Sequence, residues 1–379
     1  MNKIYLDNAA TTPIDKEVID VMYASMQTNF GNPSSTHQFG RTAKASVETA
    51  RKNIAKHFNV SASEIIFTAG GTEADNLIMQ NAVLNLKVKT IITSKIEHHA
   101  VLHTAEYLQK RYNVNLVFVD VDFNGDVDLN HLEELLETHQ TEKCLVSLMY
   151  INNEIGNLLP IDLVSKLCIQ YNALFHSDTV QAIGHYQIDL QKTSIDFITA
   201  SAHKFHGPKG VGFAYFKKGF GILPMLHGGD QEKGARSSTE NVHSILGMEA
   251  ALRIAVSNIE KDEKYLLQLK KYFITELKAN FKDIAFNGNS EFVNKSSYTI
   301  LNVRFSQAND MLLFSLDLSG IAVSGGSACQ SGSSKGSHVL DELLDGKEAN
   351  KTSVRFSFSK LTTKHEIDTT VLKLKELLN

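Results

Sequence analysis

The stretch FITASAHKFHGPKG, residues 197–210, brings a short apolar run to its end just before Lys204 and then stops at Gly207-Pro208. A lysine at the end of a buried strand loses hydration, which lowers the free-energy cost of its neutral, nucleophilic form. Lys204 is therefore a candidate Schiff-base amine. Taken alone, it would more often be an ordinary surface lysine in a turn, because buried lysines are rare.

A second stretch, FHSDTVQ at residues 175–181, ends an apolar run on the carboxylate of Asp178. Pyridoxal phosphate (PLP) works as an electron sink only while its pyridine nitrogen stays protonated, and an aspartate commonly holds that proton. Asp178 suits this role, although it would also cap a helix, and both interpretations can hold together. A Schiff-base lysine and a pyridinium aspartate on different strands predict one cofactor at the carboxyl edge of a parallel sheet.

Two further strings supply other contacts that PLP needs. Residues 67–76, FTAGGTEADN, offer the backbone N–H groups of a helix start to a phosphate, although the same letters could simply cap a helix. Residues 97–100, EHHA, follow an apolar run and place an imidazole where it can face the cofactor ring. His99 and His103 are one helical turn apart, but no glutamate follows His99, so we interpret both as helix surface and not as a metal pair.

The ordered motifs resemble those of the cysteine desulfurases, PLP enzymes of the class V aminotransferase family with the type I fold. This resemblance spans nearly the whole chain. Beyond the strings above, the matching motifs are Tyr5–Pro13, Gly31–Ser35, Asn152–Gly156, His227–Gly229, Arg236–Thr239, Ser327–Cys329 and Arg355–Ser357. Several of these strings would mean little singly, whereas the ordered set is specific.

The resemblance implies a role for each member of the site. Lys204 would hold the cofactor, and Asp178 would pair with its ring nitrogen. His98 would stack on the ring and move protons, Gln181 would bind the ring hydroxyl, and Asn153 would lie near ring and substrate. The implied phosphate ligands are Gly71, Thr72, Ser201, His203 and, from the neighbouring subunit of a homodimer, Thr239.

Arg355 and Cys329 would act on the substrate. By resemblance, Arg355 clamps the substrate carboxylate with its planar fork, whereas the residues alone favour an ion pair at a strand edge. Cys329 lies in SGGSACQSGSSKGS, residues 324–337, whose composition is typical of a mobile loop. Cys144 and Cys168 fall in apolar runs and are predicted to be buried and unreactive.

The resemblance implies that L-cysteine becomes L-alanine while the Cys329 thiolate takes the sulfur as a persulfide. The sulfur would pass to an acceptor such as an iron-sulfur scaffold or a tRNA thiolation enzyme. No intrinsic metal is expected, although Cys329 could serve as a transient iron-sulfur ligand. The alternatives are a selenocysteine lyase, a class V aminotransferase that does not need Cys329, and a non-catalytic PLP-fold protein.

Composition agrees with a PLP enzyme of the cytoplasm. The chain has 379 residues, of which 42% are hydrophobic, so that it can bury substantial cores. A net charge of −4 without a long basic run does not favour nucleic-acid binding. Three cysteines without paired spacing argue against a disulfide framework, and no apolar stretch has the length of a membrane span.

Strands and helices alternate through the first two thirds of the chain, which predicts an α/β fold with a mostly parallel sheet. Its predicted strands are residues 65–68, 90–93, 115–119, 144–149, 173–177, 197–200 and 212–216. Residues 14–256 would form a large PLP-binding domain, and residues 1–13 with 257–379 a smaller α+β domain that carries the Cys329 loop. A long helix beginning near residues 257–271 would connect them, and the smaller domain would add strands at residues 299–305, 321–324 and 354–358.

Overall fold

The structure of the chain, a computed structural model, describes residues 3–306, 308–325 and 336–378. Cys329 lies outside these ranges. The strands are β1 (Ile4–Tyr5), β2 (Ile65–Thr68), β3 (Thr90–Thr93), β4 (Asn115–Phe118), β5 (Cys144–Ser147), β6 (Leu174–Asp178), β7 (Phe197–Ser201), β8 (Gly212–Phe216), β9 (Ala285–Phe286), β10 (Ile300–Arg304), β11 (Ile321–Ala322) and β12 (Ser353–Ser357). The α-helices are α1 (Lys16–Thr28), α2 (Gln38–His57), α3 (Gly71–Leu84), α4 (His99–Tyr112), α5 (Leu129–Thr138), α6 (Ile161–Gln170), α7 (Val242–Asn280), α8 (Leu312–Leu318), α9 (His338–Leu343), α10 (Gly346–Ala349) and α11 (Lys364–Leu378).

The central sheet has seven strands in the order β2-β8-β7-β6-β5-β3-β4. β8 runs antiparallel to both of its neighbours, and the other strands run in one direction. This arrangement confirms the predicted α/β fold with a mostly parallel sheet. The carboxyl ends of β2, β3, β5, β6 and β7 therefore meet at one edge, where a ligand is expected to bind.

Apolar side chains alternate between the two faces of this sheet. Ile91 of β3 and Leu145 of β5 pack into a cluster with residues of α3 and α4. Their chain neighbours Ile92 and Val146 pack into a second cluster with residues of α2 and α6. Because successive residues of a strand point to opposite faces, helices cover both sides and the strands are apolar throughout. Cys144 and Cys168 are buried, as predicted.

The long helix α7 spans 39 residues and joins two apolar cores. Its first half contributes Val242 and Met248 to a core of the central sheet. Its second half contributes Leu266 and Phe273 to a separate cluster. The prediction that this helix begins near residues 257–271 was wrong. Residues 242–256 are apolar on most faces and include a glycine, so they lack the one-sided pattern that marks a surface helix.

The cluster that contains Leu266 and Phe273 lies between α7, α8, α11 and two small sheets. β9, β10 and β12 form an antiparallel sheet, and β1 pairs with β11 in parallel. Ile4 and Leu6 join this cluster, so the N-terminal segment packs against the last third of the chain. We propose that residues 1–13 with 257–379 form the small domain, whose boundary with residues 14–256 then falls inside α7.

None of the described helices combines the length and the apolar character that crossing a membrane requires.

The strand predicted at residues 321–324 is shorter in the structure and ends at Ala322. Ser324 instead forms an isolated antiparallel bridge with Arg355. This bridge ties the end of the described segment at Gly325 to the central part of β12.

Candidate active site

A cavity of about 170 Å³ lies at the carboxyl edge of the central sheet. The structure brings most of the predicted site residues together in its lining, which includes Gly71, Thr72, His98, Asn153, Asp178, Gln181, Ser201, His203, Lys204 and Arg355. All but Arg355 lie at or just after the carboxyl ends of β2, β3, β5, β6 and β7, as the parallel topology requires. Arg355 lies within β12. Thr239 does not line this cavity, and Cys329 lies outside the described residues.

Lys204 sits in a 3₁₀ turn, Ala202–Lys204, directly after β7. Its Nζ donates hydrogen bonds to the carbonyl oxygens of Ala9 at 2.5 Å and Ala10 at 2.9 Å. Gln181 Nε2 donates to the same Ala9 oxygen at 2.9 Å. The N-terminal segment thus forms one wall of the cavity. Sequence reasoning assigned this segment no role in the site, although the Tyr5–Pro13 motif was the available signal.

Asp178 is the last residue of β6 and is 7% exposed. Its Oδ1 accepts a hydrogen bond from the backbone N–H of Val180 at 2.9 Å and one from the Thr199 hydroxyl at 3.2 Å. Donors of this kind stabilise the ionised form of a carboxyl group. Asp178 can therefore hold a negative charge opposite a protonated ring nitrogen.

The N-terminus of α3 forms the opposite end of the site. Gly70 precedes it at φ 154°, and no side chain among the described residues caps its first amides. A Cβ on Gly71 would lie 2.7 Å from a methyl group of Val180, so only glycine fits there. Uncapped amides at a helix N-terminus bind phosphate.

His203 lies beside the α3 terminus, and its Nδ1 is 3.1 Å from the Thr11 hydroxyl. Burial, together with the charges of Lys204 and Lys209, lowers the pKa of His203 to about 4. His203 is therefore neutral at pH 7 and offers a hydrogen bond to an anion, but no charge. The cavity is thus surrounded by an amine, a buried carboxylate and an uncapped helix N-terminus. These groups fit the aldehyde, the ring nitrogen and the phosphate of PLP.

His98 is the N-cap of α4, and its Nδ1 accepts a hydrogen bond from the backbone N–H of Ala100 at 3.1 Å. An accepting Nδ1 leaves the proton of the neutral ring on Nε2. His98 also lines the cavity, so one side chain starts a helix and serves the site. Glu97, directly before it, is buried and accepts the N–H of Met149 at 2.8 Å. Burial raises the pKa of Glu97 to about 8.

His99 is half-buried and is not simply helix surface. Its ring stacks on that of His103 with centroids 4.7 Å apart, and the His338 ring centroid lies 4.3 Å away. Burial and the three neighbouring histidines lower the pKa of His99 to about 4. Across residues 3–306, 308–325 and 336–378, no cluster of His, Cys, Asp or Glu is placed to hold a metal ion.

Arg355 is 1% exposed and reaches the cavity from β12. Its Nη2 pairs with Asp7 Oδ1 at 2.9 Å, and its Nη1 donates to the carbonyl oxygen of Asn153 at 2.7 Å. The ion pair expected from the residues alone is therefore present, in a position that also faces the cavity. Sequence reasoning missed Asp7, because this contact joins residues from opposite ends of the chain.

Thr239 is exposed and lies in a different depression, lined also by Phe67, Glu232 and Arg236. Glu232 forms a bidentate pair with the buried Arg51, with distances of 2.6 and 2.7 Å. Arg236 pairs with Glu73 of α3 at 2.7 Å. These two ion pairs fix the segment that carries Thr239 to α2 and α3 of the same chain.

Comparison with known proteins identifies close relatives. A family model described as aminotransferase class-V matches residues 4–370. A curated cysteine desulfurase IscS of Dictyoglomus turgidum is 40% identical, over 99% of this chain and 94% of its own length. A solved NifS-like protein is 35% identical with a TM-score of 0.91, covering 100% of this chain and 99% of its own. A structure titled "SspA in complex with cysteine" is 27% identical with a TM-score of 0.82, over 96% of this chain and 100% of its own. These matches confirm the predicted type I PLP-dependent transferase fold.

Proposed function

The chain belongs to the aminotransferase class-V family, and on this premise we propose that it is a PLP-dependent cysteine desulfurase. It converts L-cysteine to L-alanine and takes the sulfur onto Cys329 as a persulfide. The observation that carries this proposal is the assembly of Lys204, Asp178 and Arg355 around one cavity. The relatives named cysteine desulfurase, which match almost the full length of the chain, support it.

The residues of the cavity divide the work of holding PLP. Lys204 would supply the amine, Asp178 would pair with the protonated ring nitrogen, Gln181 would bind the ring hydroxyl, and Asn153 would lie near the ring. The α3 terminus with Gly71, Thr72, Ser201 and His203 would take the phosphate, and His98 would stack on the ring. When bound, PLP supplies an electron sink that stabilises negative charge next to the substrate amino group.

Arg355 binds the substrate carboxylate. Asp7 and the carbonyl oxygen of Asn153 each hold one nitrogen of its guanidinium group, so the fork is oriented before the substrate arrives. The amine of Lys204 would remove the α-proton of the substrate. The Nε2–H of His98 is available as the second proton-transfer group.

The Cys329 thiolate attacks the substrate sulfur. The Sγ–S bond forms as the carbon–sulfur bond breaks, and the electron pair of the broken bond stays on the β-carbon. One proton added to the β-carbon and one returned by Lys204 to the α-carbon complete alanine. The two other cysteines do not suit this step. Burial raises the pKa of Cys144 to about 11 and raises that of Cys168 further, so both remain protonated and inert.

The sulfur then passes to an acceptor protein, for which an iron-sulfur scaffold and a tRNA thiolation enzyme are both candidates. The enzyme itself needs no direct contact with nucleic acid or membrane, and we place it in the cytoplasm. We further propose a homodimer in which Thr239 completes the phosphate site of the partner subunit. Its exposed position away from its own cavity supports this assignment.

The test is the mass of the peptide that contains Cys329 after brief incubation of the PLP-loaded enzyme with L-cysteine. We expect a gain of one sulfur atom on this peptide, none with L-alanine, and none in Lys204→Ala. Cys168→Ala is the matched thiol control and should behave as the wild type. An unmodified Cys329 in protein that binds cysteine overturns the proposal, and keto-acid release in that case identifies an aminotransferase.

A further inference from the structure

The short helix α9 has no part in the mechanism above, although it begins soon after Cys329 in the sequence. It packs against two segments, residues 96–98 and 153–155, each of which contributes one side chain to the cavity. Four buried apolar residues make this contact: Val339 and Leu340 of α9, with Ile96 and Ile155. The helix that follows Cys329 is therefore held directly beside the cavity.

His338, the first residue of α9, adds a polar contact with the 96–98 segment. Its Nε2 lies 2.9 Å from the carbonyl oxygen of Glu97, and because a carbonyl oxygen can only accept, Nε2 is the donor. The Glu97 side chain is itself fixed, since it accepts the N–H of Met149 at 2.8 Å. His338 is thus bound to a well-held residue that immediately precedes His98.

Ser337 makes the corresponding contact with the 153–155 segment. Its hydroxyl donates to Oε2 of Glu154, a residue that is 0% exposed, and also accepts a backbone N–H as the N-cap of α9. Burying a carboxylate is costly unless it is hydrogen-bonded, so this contact stabilises the packed arrangement. Glu154 directly follows Asn153, whose carbonyl oxygen orients Arg355. Ser337 therefore connects α9 to the segment that holds the substrate clamp.

We propose that His338 and Ser337 are positioning residues that hold the chain following Cys329 against the 96–98 and 153–155 segments. A chain held beside the cavity keeps the thiol that it carries near the substrate, and this raises the effective concentration of the thiol. His338 and Ser337 therefore set the rate of sulfur transfer to Cys329, but they take no part in binding PLP or L-cysteine. This inference rests on the proposed function, because it takes Cys329 as the group that receives the sulfur.

The first test measures how fast Cys329 gains sulfur in the PLP-loaded enzyme, by rapid acid quenching at saturating L-cysteine and mass analysis of the peptide. His338→Leu should slow this step by about threefold to tenfold, because the carbonyl oxygen of Glu97 loses its hydrogen bond and α9 is held less tightly. His338→Gln should keep the rate within about twofold of the wild type, since a glutamine amide can donate to the same oxygen. An unchanged rate in His338→Leu overturns the proposal, and so does an equally slow His338→Gln.

Ser337→Ala is a second variant, which leaves His338 in place. It removes the N-cap of α9 and the hydrogen bond to Glu154, so sulfur transfer should again slow by about threefold to tenfold. The matched control is His131→Leu on α5, because His131 also bonds a backbone group, the N–H of Asp120 at 3.1 Å, and does not line the cavity. This control should transfer sulfur at the wild-type rate, and a loss equal to that of the α9 variants would contradict a specific role for α9.

The second test separates slower thiol attack from a damaged cofactor site. Exchange of the α-hydrogen of L-alanine for deuterium needs PLP and Lys204 but no thiol. In His338→Leu and Ser337→Ala, this exchange and the PLP dissociation constant should stay within about twofold of the wild type while sulfur transfer slows. A parallel loss of exchange would show that the variants disturb the cofactor site, and it would overturn the proposal. A wild type in which Cys329 gains no sulfur refutes the proposed function, whereas fast sulfur transfer in both α9 variants refutes only the positioning role.

Discussion

His98 shows how one side chain can serve both a helix and a reaction. As the N-cap of α4 it accepts the Ala100 N–H, and the same ring lines the cavity. We predict that His98→Ala loses about 1 kcal/mol of stability together with sulfur release. His98→Asn should keep the cap, because asparagine is among the best N-cap residues, and still lose sulfur release.

Thermal unfolding and sulfide release, measured on both His98 variants, check this separation. The result that contradicts it is an active His98→Asn enzyme, which would limit the histidine to its capping role. Equal destabilisation by alanine and asparagine would show, in turn, that the cap contributes little. Thr104 is the control position for the His98 variants, because it is a buried residue of α4 that does not line the cavity.

The site was predictable where chemistry and position in the sequence coincide. Lys204 and Asp178 each end an apolar run, and the carboxyl ends of parallel strands meet at one edge. Asp7 was not predictable, because its role depends on a contact with Arg355 that only the folded chain creates.

Among the elements, α7 links the two apolar cores, and Lys270 in its second half is fully buried. The Lys270 Nζ donates to the Ser296 hydroxyl at 2.9 Å and to the carbonyl oxygen of Ser297 at 2.7 Å. Burial lowers the pKa of Lys270 to about 7. Between pH 7 and its usual value near 10.5, the unfolded chain thus binds a proton that the folded chain does not.

Stability should therefore rise with pH in this window, by up to about 1.4 kcal/mol per pH unit. We predict that Lys270→Met removes this rise, as measured by urea unfolding of the cofactor-free protein at pH 7, 8.5 and 10. Lys271→Met is the matched control, because Lys271 is the next residue in the sequence and its side chain is exposed. This variant should keep the rise of stability with pH. Parallel curves for wild type and Lys270→Met would mean that Lys270 is charged in the fold.

The strands were the most predictable elements, because each is a short run of apolar or β-branched residues. β2, β3 and β8 have the predicted bounds. The start of α7 was not predictable from periodicity. That half of the helix is covered on most sides, and Gly247 lies so close to Met22 of α1 that a Cβ would approach its sulfur to 2.7 Å.

For the whole molecule, the exposed side chains suggest where two subunits meet. Tyr23, Met26, Phe30 and Phe39, on or between α1 and α2, are each more than half exposed. An apolar group of this kind marks an interaction surface. Ser34, between Phe30 and Phe39, lies 3.5 Å from Gln231 of the segment that leads to Thr239. A subunit bound here would lie close to the Thr239 segment, as the proposed homodimer requires.

If Thr239 serves the partner's site, then damage to Lys204 and to Thr239 must combine across the dimer. We predict that a hybrid of one Lys204→Ala subunit and one Thr239→Ala subunit, purified through two different tags, recovers about half of the wild-type activity. It has one site with both residues intact. The matched control places both substitutions in one subunit beside a wild-type subunit, and this hybrid should be inactive because each site then lacks one residue. An inactive first hybrid and a half-active control would assign Thr239 to the site of its own chain. In that case both sites of the first hybrid lack one residue, whereas the wild-type subunit of the control keeps an intact site.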